Sequence, residues 1–168
     1  MSNFDVQLLG HRFHPTDEEI ITYYLERKMA GLHIPHNVVN EVDICKFEPW
    51  ELPQLSALLD DEEWYFFSTP CKYANGKGTK RTTKGGYWKV TGNDRRVWDE
   101  CEENEIGKQT TLVFYKGRGS KAVKTDWIIH EYHSNNASSY QNAFVFCRLK
   151  GQLEDGSNTY TGGEPSYS

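Results

Sequence analysis

The sequence predicts an α+β fold in which one helix near the N-terminus precedes an antiparallel β-sheet. A helical apolar pattern with its own start and stop signals comes before Gly31. From Trp64 onward, short apolar runs follow one another with no helical pattern between them, which is typical of an antiparallel sheet. The length of 168 residues fits one domain. We therefore expect a domain over residues 1–150 and a polar, disordered tail over residues 151–168.

The helix is expected to cover residues 17–29. Thr16 and Glu19 have the spacing of a capping box, in which each side chain bonds the backbone N–H of the other residue. Apolar residues then recur at helical spacing within residues 20–29. Gly31 is expected to end the helix, because glycine readily takes the left-handed conformation of a helix C-terminus.

The remaining elements are short. Residues 38–47 indicate either a short strand or a turn of helix, and residues 48–53 indicate a short helical turn between two prolines. The expected strands are apolar or alternating runs bounded by polar loops, at residues 64–68, 85–92, 96–98, 110–116, 125–132 and 143–149. One helix and then a series of strands give the α+β class.

Positive charge is concentrated in residues 72–96. This segment has eight lysines and arginines and one acid, a net charge of +7, whereas the whole chain has 19 basic and 24 acidic residues. A second run, residues 108–124, has five basic residues and no acid. Charge segregated in this way usually faces a polyanion, most often nucleic acid. The alternative is an ordinary basic hairpin on a solvated surface.

Alternation within the basic segment predicts which side chains face outward. If Trp88 and Val90 face the core, then Tyr87, Lys89 and Thr91 face out. Lysine can meet phosphates or guanine edges, threonine can meet bases, and tyrosine can pack or donate a hydrogen bond. A strand with this open face suits a groove of DNA.

Several other classes of protein are not indicated. The four cysteines, at positions 45, 71, 101 and 147, are not paired at short spacing, so we expect no metal and no cofactor. Acids and histidines form no spaced constellation, and residues 76–80 (GKGTK) lack the spacing of a phosphate-binding loop, so we expect no enzyme. The absence of a run of about 18 apolar residues predicts no membrane span.

Five blocks of the sequence resemble the plant NAC domain, the DNA-binding module of a transcription-factor family. They are residues 10–25 (GHRFHPTDEEIITYYL), 42–53, 63–95 (including EWYFF and GYWKVTG), 111–125 (TLVFYKGRGSKAVKT) and 127–132 (WIIHEY). The combination is very specific and extends over about residues 8 to 150. The resemblance implies a twisted antiparallel sheet flanked by a few helices, no zinc, no catalysis, and a transcription regulator of the plant nucleus.

The resemblance also implies an isologous dimer that reads double-stranded DNA. The N-terminal segments pair, with Arg12 and Glu19 tying the two copies, and residues 88–92 enter the major groove at sites with a CGT-type core. If the Arg12–Glu19 pair is exposed it contributes little, so the apolar Leu8, Leu9 and Phe13 must carry much of the dimer. The expected DNA contacts, from the resemblance and from the charge pattern together, are Lys72, Lys77, Lys80, Arg81, Lys84, Tyr87, Lys89, Thr91, Arg95, Lys116, Arg118, Lys121 and Lys124.

This chain departs from the family pattern at a few positions. The usual opening, Leu-Pro-Pro-Gly-Phe-Arg-Phe, reads LLGHRF here, Val90 replaces an alanine, and Gln109 replaces a common lysine. Gly78 stands where many members have a basic residue, and Asn93 where they often have lysine or threonine. An alternative function therefore stays open, that of a dimerising interaction protein, also with related NAC proteins, which inhibits or tethers them and binds DNA only weakly. The alternative interpretation of Arg12 and Glu19 is that both are plain helix-start residues, with Glu19 satisfied by the capping box.

Overall fold

A six-stranded sheet with the strand order β1-β2-β6-β5-β4-β3 organises the fold. The computed structural model describes residues 13–35, 38–58, 62–70 and 81–153. The strands are β1 (Asn40–Glu41), β2 (Glu63–Ser68), β3 (Gly86–Trp98), β4 (Glu105–Lys116), β5 (Val123–Ser134) and β6 (Val145–Lys150). Neighbouring strands are antiparallel except β1 and β2, which run parallel. The predicted α+β class, with a twisted and mostly antiparallel sheet, is confirmed.

The N-terminal helix, α1, is π-helical over Glu19–Leu25 and α-helical over Glu26–Ala30. The predicted capping box is present, because the Thr16 N–H donates to Glu19 Oε1 (2.8 Å) and the Glu19 N–H donates to Thr16 Oγ1 (3.2 Å). Gly31 ends the helix with φ of 73°. The predicted start and end are therefore confirmed, whereas the π-helical turns were not predicted.

The two faces of the sheet bury separate apolar cores. Helix α1 covers one face and packs Ile20, Ile21 and Leu25 against aromatic side chains such as Tyr132 and Phe146. The 3₁₀ turns Ile44–Lys46, Pro49–Glu51 and Pro53–Leu55 lie on the other side, where the buried residues include Leu52, Trp64, Phe66, Trp88, Leu112, Phe114, Trp127, Ile129 and Leu149. Each large apolar side chain that is fully buried contributes about 1.5–3 kcal/mol to the stability of the fold. Burial in both layers therefore stabilises the sheet.

The structure corrects two expectations about β3. Residues 85–92 and 96–98 belong to one strand, Gly86–Trp98, because the chain passes through a register shift between Thr91 and Arg95 without leaving the sheet. Val90 was expected to face the core together with Trp88, but it is 45% exposed. β3 is the edge strand, and the apolar layer beneath it ends at Trp88 and Leu112, so Val90 lies beyond the rim of the core.

The less regular regions contain both of the elements left open for residues 38–47, strand β1 and the 3₁₀ turn Ile44–Lys46. The predicted helical turn between the two prolines is the 3₁₀ turn Pro49–Glu51. Residues 154–168 of the expected tail lie outside the described residues. Within the described part of the chain, no helix combines the length and apolarity needed to cross a membrane.

Candidate nucleic-acid interface

A tight turn, residues 82–87, leads into β3. The Thr83 N–H donates to the Gly86 carbonyl (2.9 Å), and the Gly86 N–H donates to Thr83 Oγ1 (3.1 Å). The Glu48 carboxylate accepts hydrogen bonds from the Thr83 hydroxyl (2.7 Å) and the Gly85 N–H (3.0 Å), and so anchors the turn to the neighbouring 3₁₀ segment. A Cβ atom on Gly86 would lie 2.1 Å from the Tyr115 carbonyl oxygen, so β3 and β4 approach this closely only because residue 86 is glycine.

The first half of β3 presents the face that the alternation predicted. Lys89 is exposed, and Tyr87 and Thr91 are partly exposed on the same face, whereas Trp88 is buried on the other. The rings of Tyr87 and Tyr115 stack with centroids 5.4 Å apart and an interplanar angle of 8°. The Lys89 ammonium lies 5.5 Å from the centre of the Tyr115 ring. The face therefore combines a flat aromatic surface with a cation held close to it.

Several lysines surround this face at the end of the sheet where β3 and β5 begin and β4 ends. Those the structure describes are all exposed, and none of them forms an ion pair with a carboxylate of the described residues; they are Lys84, Lys89, Lys116, Lys121 and Lys124. The Lys116 ammonium lies 5.4 Å from the centre of the Trp50 ring. Because that ring is neutral, it does not cancel the charge of Lys116. Positive charge in this region is therefore available to an external anion.

The arginines predicted to contact DNA also bond groups within the chain. Arg81 forms two 3.4 Å contacts with the Glu131 carboxylate, and only 23% of its side chain is exposed. Arg95 bonds Asp17 (2.8 Å), and Arg118 donates to the backbone carbonyls of the 82–87 turn. These guanidinium groups hold parts of the chain together, and their further role in DNA contact stays a proposal.

Glu131 is a buried carboxylate that sequence reasoning missed. Burial raises its pKa, but the hydrogen bond with His133 (2.8 Å) and the charge of Arg81 outweigh that effect and hold the pKa below its ordinary value. A detectable signal existed, because Glu131 follows Trp127 and Ile129 at inward positions of one strand. A carboxylate at an inward position requires a cationic or hydrogen-bonding partner.

His130 contributes no charge to the open face at neutral pH. It lies in the same row of the sheet as Thr111 and Thr91, and its Nδ1 is 3.3 Å from the Thr111 hydroxyl. Burial, followed by the charges of Arg148 and Lys150, lowers the pKa of His130 to about 4. The positive charge of this face at neutral pH therefore comes from lysines and arginines and not from His130.

The residues expected at a dimer interface are described only in part. Phe13 is 3% exposed and packs edge-to-face on Tyr24 (5.6 Å) and Tyr65 (4.9 Å), so its ring belongs to the core of the chain itself. Glu19 takes part in the capping box. The other expected interface and DNA-contact residues, which lie outside the described residues, are Leu8, Leu9, Arg12, Lys72, Lys77 and Lys80.

Comparison with known proteins identifies the family. Residues 8–134 match the family model described as "No apical meristem (NAM) protein". The chain belongs to the NAC-domain family. Over 148 residues, 83% of this chain, it is 51% identical to NAC domain-containing protein 45 of Arabidopsis thaliana. It is 45% identical over 161 residues (89% of this chain) to NAC domain-containing protein 71 of Arabidopsis thaliana, and 47% identical over 147 residues (83%) to NAC domain-containing protein 54 of Oryza sativa subsp. japonica.

The relatives are longer than this chain. The matched stretch covers 30%, 62% and 22% of the three proteins, in the order given.

The matches to the family model and to these relatives confirm the resemblance seen in the sequence, and the chain is a plant NAC-domain protein. NAC-domain proteins are plant transcription factors with a DNA-binding domain, and they are not enzymes.

Proposed function

We propose that this NAC domain binds double-stranded DNA sequence-specifically as a homodimer and regulates transcription in the plant nucleus. One observation carries the proposal. The lysines around Tyr87 and Tyr115 have no carboxylate partner among the described residues, although the chain as a whole has a net charge of −5. Exposed, uncompensated cations gathered at one end of an acidic protein are the electrostatic footprint of a nucleic-acid interface.

The position of β3 suits it to the major groove. As the edge strand of the sheet, β3 pairs with a neighbouring strand on one side only. The major groove of B-DNA, about 12 Å wide, admits a two-stranded β-ribbon. In this arrangement residues 88–92 enter the groove, where Lys89 meets a base edge and Tyr87 and Thr91 contact bases or backbone. The flanking Lys84, Lys116, Lys121 and Lys124 then meet phosphates, as do Lys72, Lys77 and Lys80.

The internal bonds of the arginines shift the balance of these contacts. Because Arg81, Arg95 and Arg118 already bond groups of the chain, the lysines carry the larger part of the phosphate contact. If six to eight phosphates are neutralised per protomer, the logarithm of affinity falls against the logarithm of salt concentration with a slope of about −5 to −7. A slope near zero in the same titration would contradict an interface built mainly from lysines.

The dimer is proposed to form through the N-terminal segment, with Arg12 and Glu19 paired between protomers. Since the ring of Phe13 is buried within one protomer, Leu8 and Leu9 are left to supply most of the apolar contact. An isologous dimer of this kind fits two CGT-type cores in palindromic arrangement. The same segment would also support heterodimers with related NAC proteins.

Single lysine substitutions test the proposed roles. Lys89→Ala is expected to cost about 1–3 kcal/mol of binding to a CGT-containing duplex and to reduce the preference over a scrambled duplex, because Lys89 meets a base. Lys121→Ala is expected to weaken both duplexes alike. Lys46→Ala is the control, because Lys46 is 77% exposed and pairs with Asp43. Fluorescence anisotropy at one salt concentration measures all of these affinities.

Two results would overturn the assignments. Equal losses on both duplexes for Lys89→Ala would remove its role in reading bases. A protein that is dimeric by light scattering and never retards a CGT-containing duplex in a mobility-shift assay would favour the interaction protein instead.

A further inference from the structure

Four side chains from four elements close a ring of hydrogen bonds between the start of helix α1 and the edge strand β3. Arg95 on β3 donates from Nη2 to Asp17 Oδ2 (2.8 Å) and from Nε to Gln109 Oε1 on β4 (3.1 Å). Gln109 donates to the hydroxyl of Tyr132 on β5 (2.8 Å), and that hydroxyl donates to Asp17 Oδ1 (2.8 Å). These four hydrogen bonds close the ring.

The inner half of the ring is buried. Tyr132 is 0% exposed and Gln109 is 6% exposed, whereas the side chains of Asp17 and Arg95 are 33% and 52% exposed. Burial raises the pKa of Asp17, but the hydrogen bonds from Arg95 and Tyr132 outweigh it and hold the pKa below its ordinary value. The carboxylate is therefore charged at neutral pH. Buried polar groups that bond only each other define one geometry, since any displacement leaves some of them unpaired.

The ring lies directly after the segment of β3 that is proposed to read DNA. Thr91 pairs with Thr111 and Arg95 pairs with Gln109, so residues 92–94 lie opposite Thr110 alone. The regular ladder is thus interrupted between residues 91 and 95, and Gly92 has a positive φ of 67°. A bulge of this kind sets the direction in which the adjoining strand points.

At the end of this bulge, bonds made by side chains hold β3 in place of the missing ladder hydrogen bonds. Asp94 accepts a hydrogen bond from the Thr110 hydroxyl (2.9 Å) and pairs with Lys108 (3.3 Å). Arg95, the next residue, joins the ring. The path of β3 beyond Thr91 therefore depends on bonds to β4 and, through Asp17, to helix α1.

We propose that the ring of Arg95, Asp17, Tyr132 and Gln109 positions the DNA-reading segment of β3 relative to the start of helix α1. This inference rests on the proposed function. In it, Arg95 is a positioning residue, and its predicted phosphate contact is secondary. Because Asp17 lies between Arg12 and Glu19, the two residues proposed to pair between protomers, the ring links dimerisation to base reading, and the linkage acts in both directions. A lysine at position 109 has no acceptor and would not close the ring.

Asp17→Asn separates positioning from simple electrostatics, because the two predict opposite effects. If Arg95 only met phosphate, removal of an acid would tighten binding to every duplex. If the ring positions β3, binding to the CGT-containing duplex weakens by about 2- to 30-fold, the range for residues that modulate coupling without touching the ligand. Binding to the scrambled duplex stays equal or becomes slightly tighter. The measurement is the dissociation constant for the scrambled duplex divided by that for the CGT-containing duplex, both at one salt concentration. A lower ratio means a weaker preference for the CGT-containing duplex.

Three further variants complete the test. Asp43→Asn makes the same change of charge at a pair with Lys46 (3.7 Å) and should leave the ratio unchanged. Tyr132→Phe removes only the hydroxyl from the ring and should lower the ratio while the fold, followed by circular dichroism, is kept. Arg95→Lys keeps the charge but replaces the two separate guanidinium nitrogens that bond Asp17 and Gln109 by one ammonium nitrogen, so it should lower the ratio with little loss on scrambled DNA.

The outcomes distinguish this inference from the proposed function. A wild-type protein with no preference between the duplexes would overturn both. A wild-type protein with a clear preference, which folded Asp17→Asn and Tyr132→Phe variants retain, would overturn the positioning role alone.

Discussion

Gly86→Ala is expected to destabilise the domain strongly, because β3 and β4 leave no room for a methyl group. The new Cβ would lie 2.1 Å from the Tyr115 carbonyl oxygen and 2.6 Å from the ring of Phe114, whose side chain is fully buried. Neither neighbour is the free end of a flexible side chain. The start of β3 must therefore move away from β4.

The magnitude follows from two contributions. Overpacking a rigid site costs about 1–3 kcal/mol. Displacement of residue 86 also weakens the hydrogen bonds that join its N–H and its carbonyl to Thr83, and each typical hydrogen bond contributes about 0.5–1.5 kcal/mol. We expect a total of about 2–5 kcal/mol, a large share of the 5–15 kcal/mol that usually stabilises a domain.

Urea unfolding followed by tryptophan fluorescence measures the effect. With a slope of about 2 kcal/mol per molar urea, the midpoint should fall by about 1–2.5 M. Gly92→Ala is the matched control, since its Cβ would meet nothing within 4 Å and only the positive φ of 67° penalises it, at a cost of about 1 kcal/mol. A wild-type midpoint for Gly86→Ala, or one above that of Gly92→Ala, would show that β3 and β4 can accommodate a methyl group at residue 86.

Two more substitutions test the described contacts. Thr16→Ala should lower the free energy of unfolding by about 1 kcal/mol through loss of the capping bond to Glu19, and an unchanged melting temperature would argue against the cap. Glu131 has a lowered pKa, so its stabilisation is present above the unfolded pKa and is lost as pH falls through the folded one. The Glu131→Gln variant should therefore be less stable than the wild type at pH 7, yet lose less of its free energy of unfolding between pH 5 and pH 3. Parallel urea midpoints for both proteins across that range would contradict this.

Features set by neighbouring residues could be predicted from the sequence. The capping box, the end of the helix at Gly31 and the outward side chains at 87, 89 and 91 each depend on a few adjacent positions. The continuity of β3 could not be predicted in this way, because the bulge after Thr91 is held by Thr110 and Lys108 of another strand. The exposure of Val90 depends likewise on where the core ends.

The lysines and the arginines of the candidate interface differ in the same way in how far the sequence could predict their contacts. Charge pattern alone indicated Lys84, Lys89 and Lys121, which the structure leaves exposed. It did not distinguish them from arginines that bond within the chain. Arg95 meets a carboxylate 78 residues away and Arg81 meets one 50 residues away. Sequence spacing carries no information on such contacts until the order of the strands is known.

Chemical-shift perturbation by nuclear magnetic resonance locates the surface of the domain that binds DNA. The uniformly ¹⁵N-labelled protein is titrated with a CGT-containing duplex at low salt. We expect the largest changes at the amides of Tyr87, Lys89 and Thr91, with little change at the indole N–H groups of Trp64 and Trp127 within the core of the opposite face. Changes concentrated around those tryptophans, or none at any residue with DNA in excess, would contradict it.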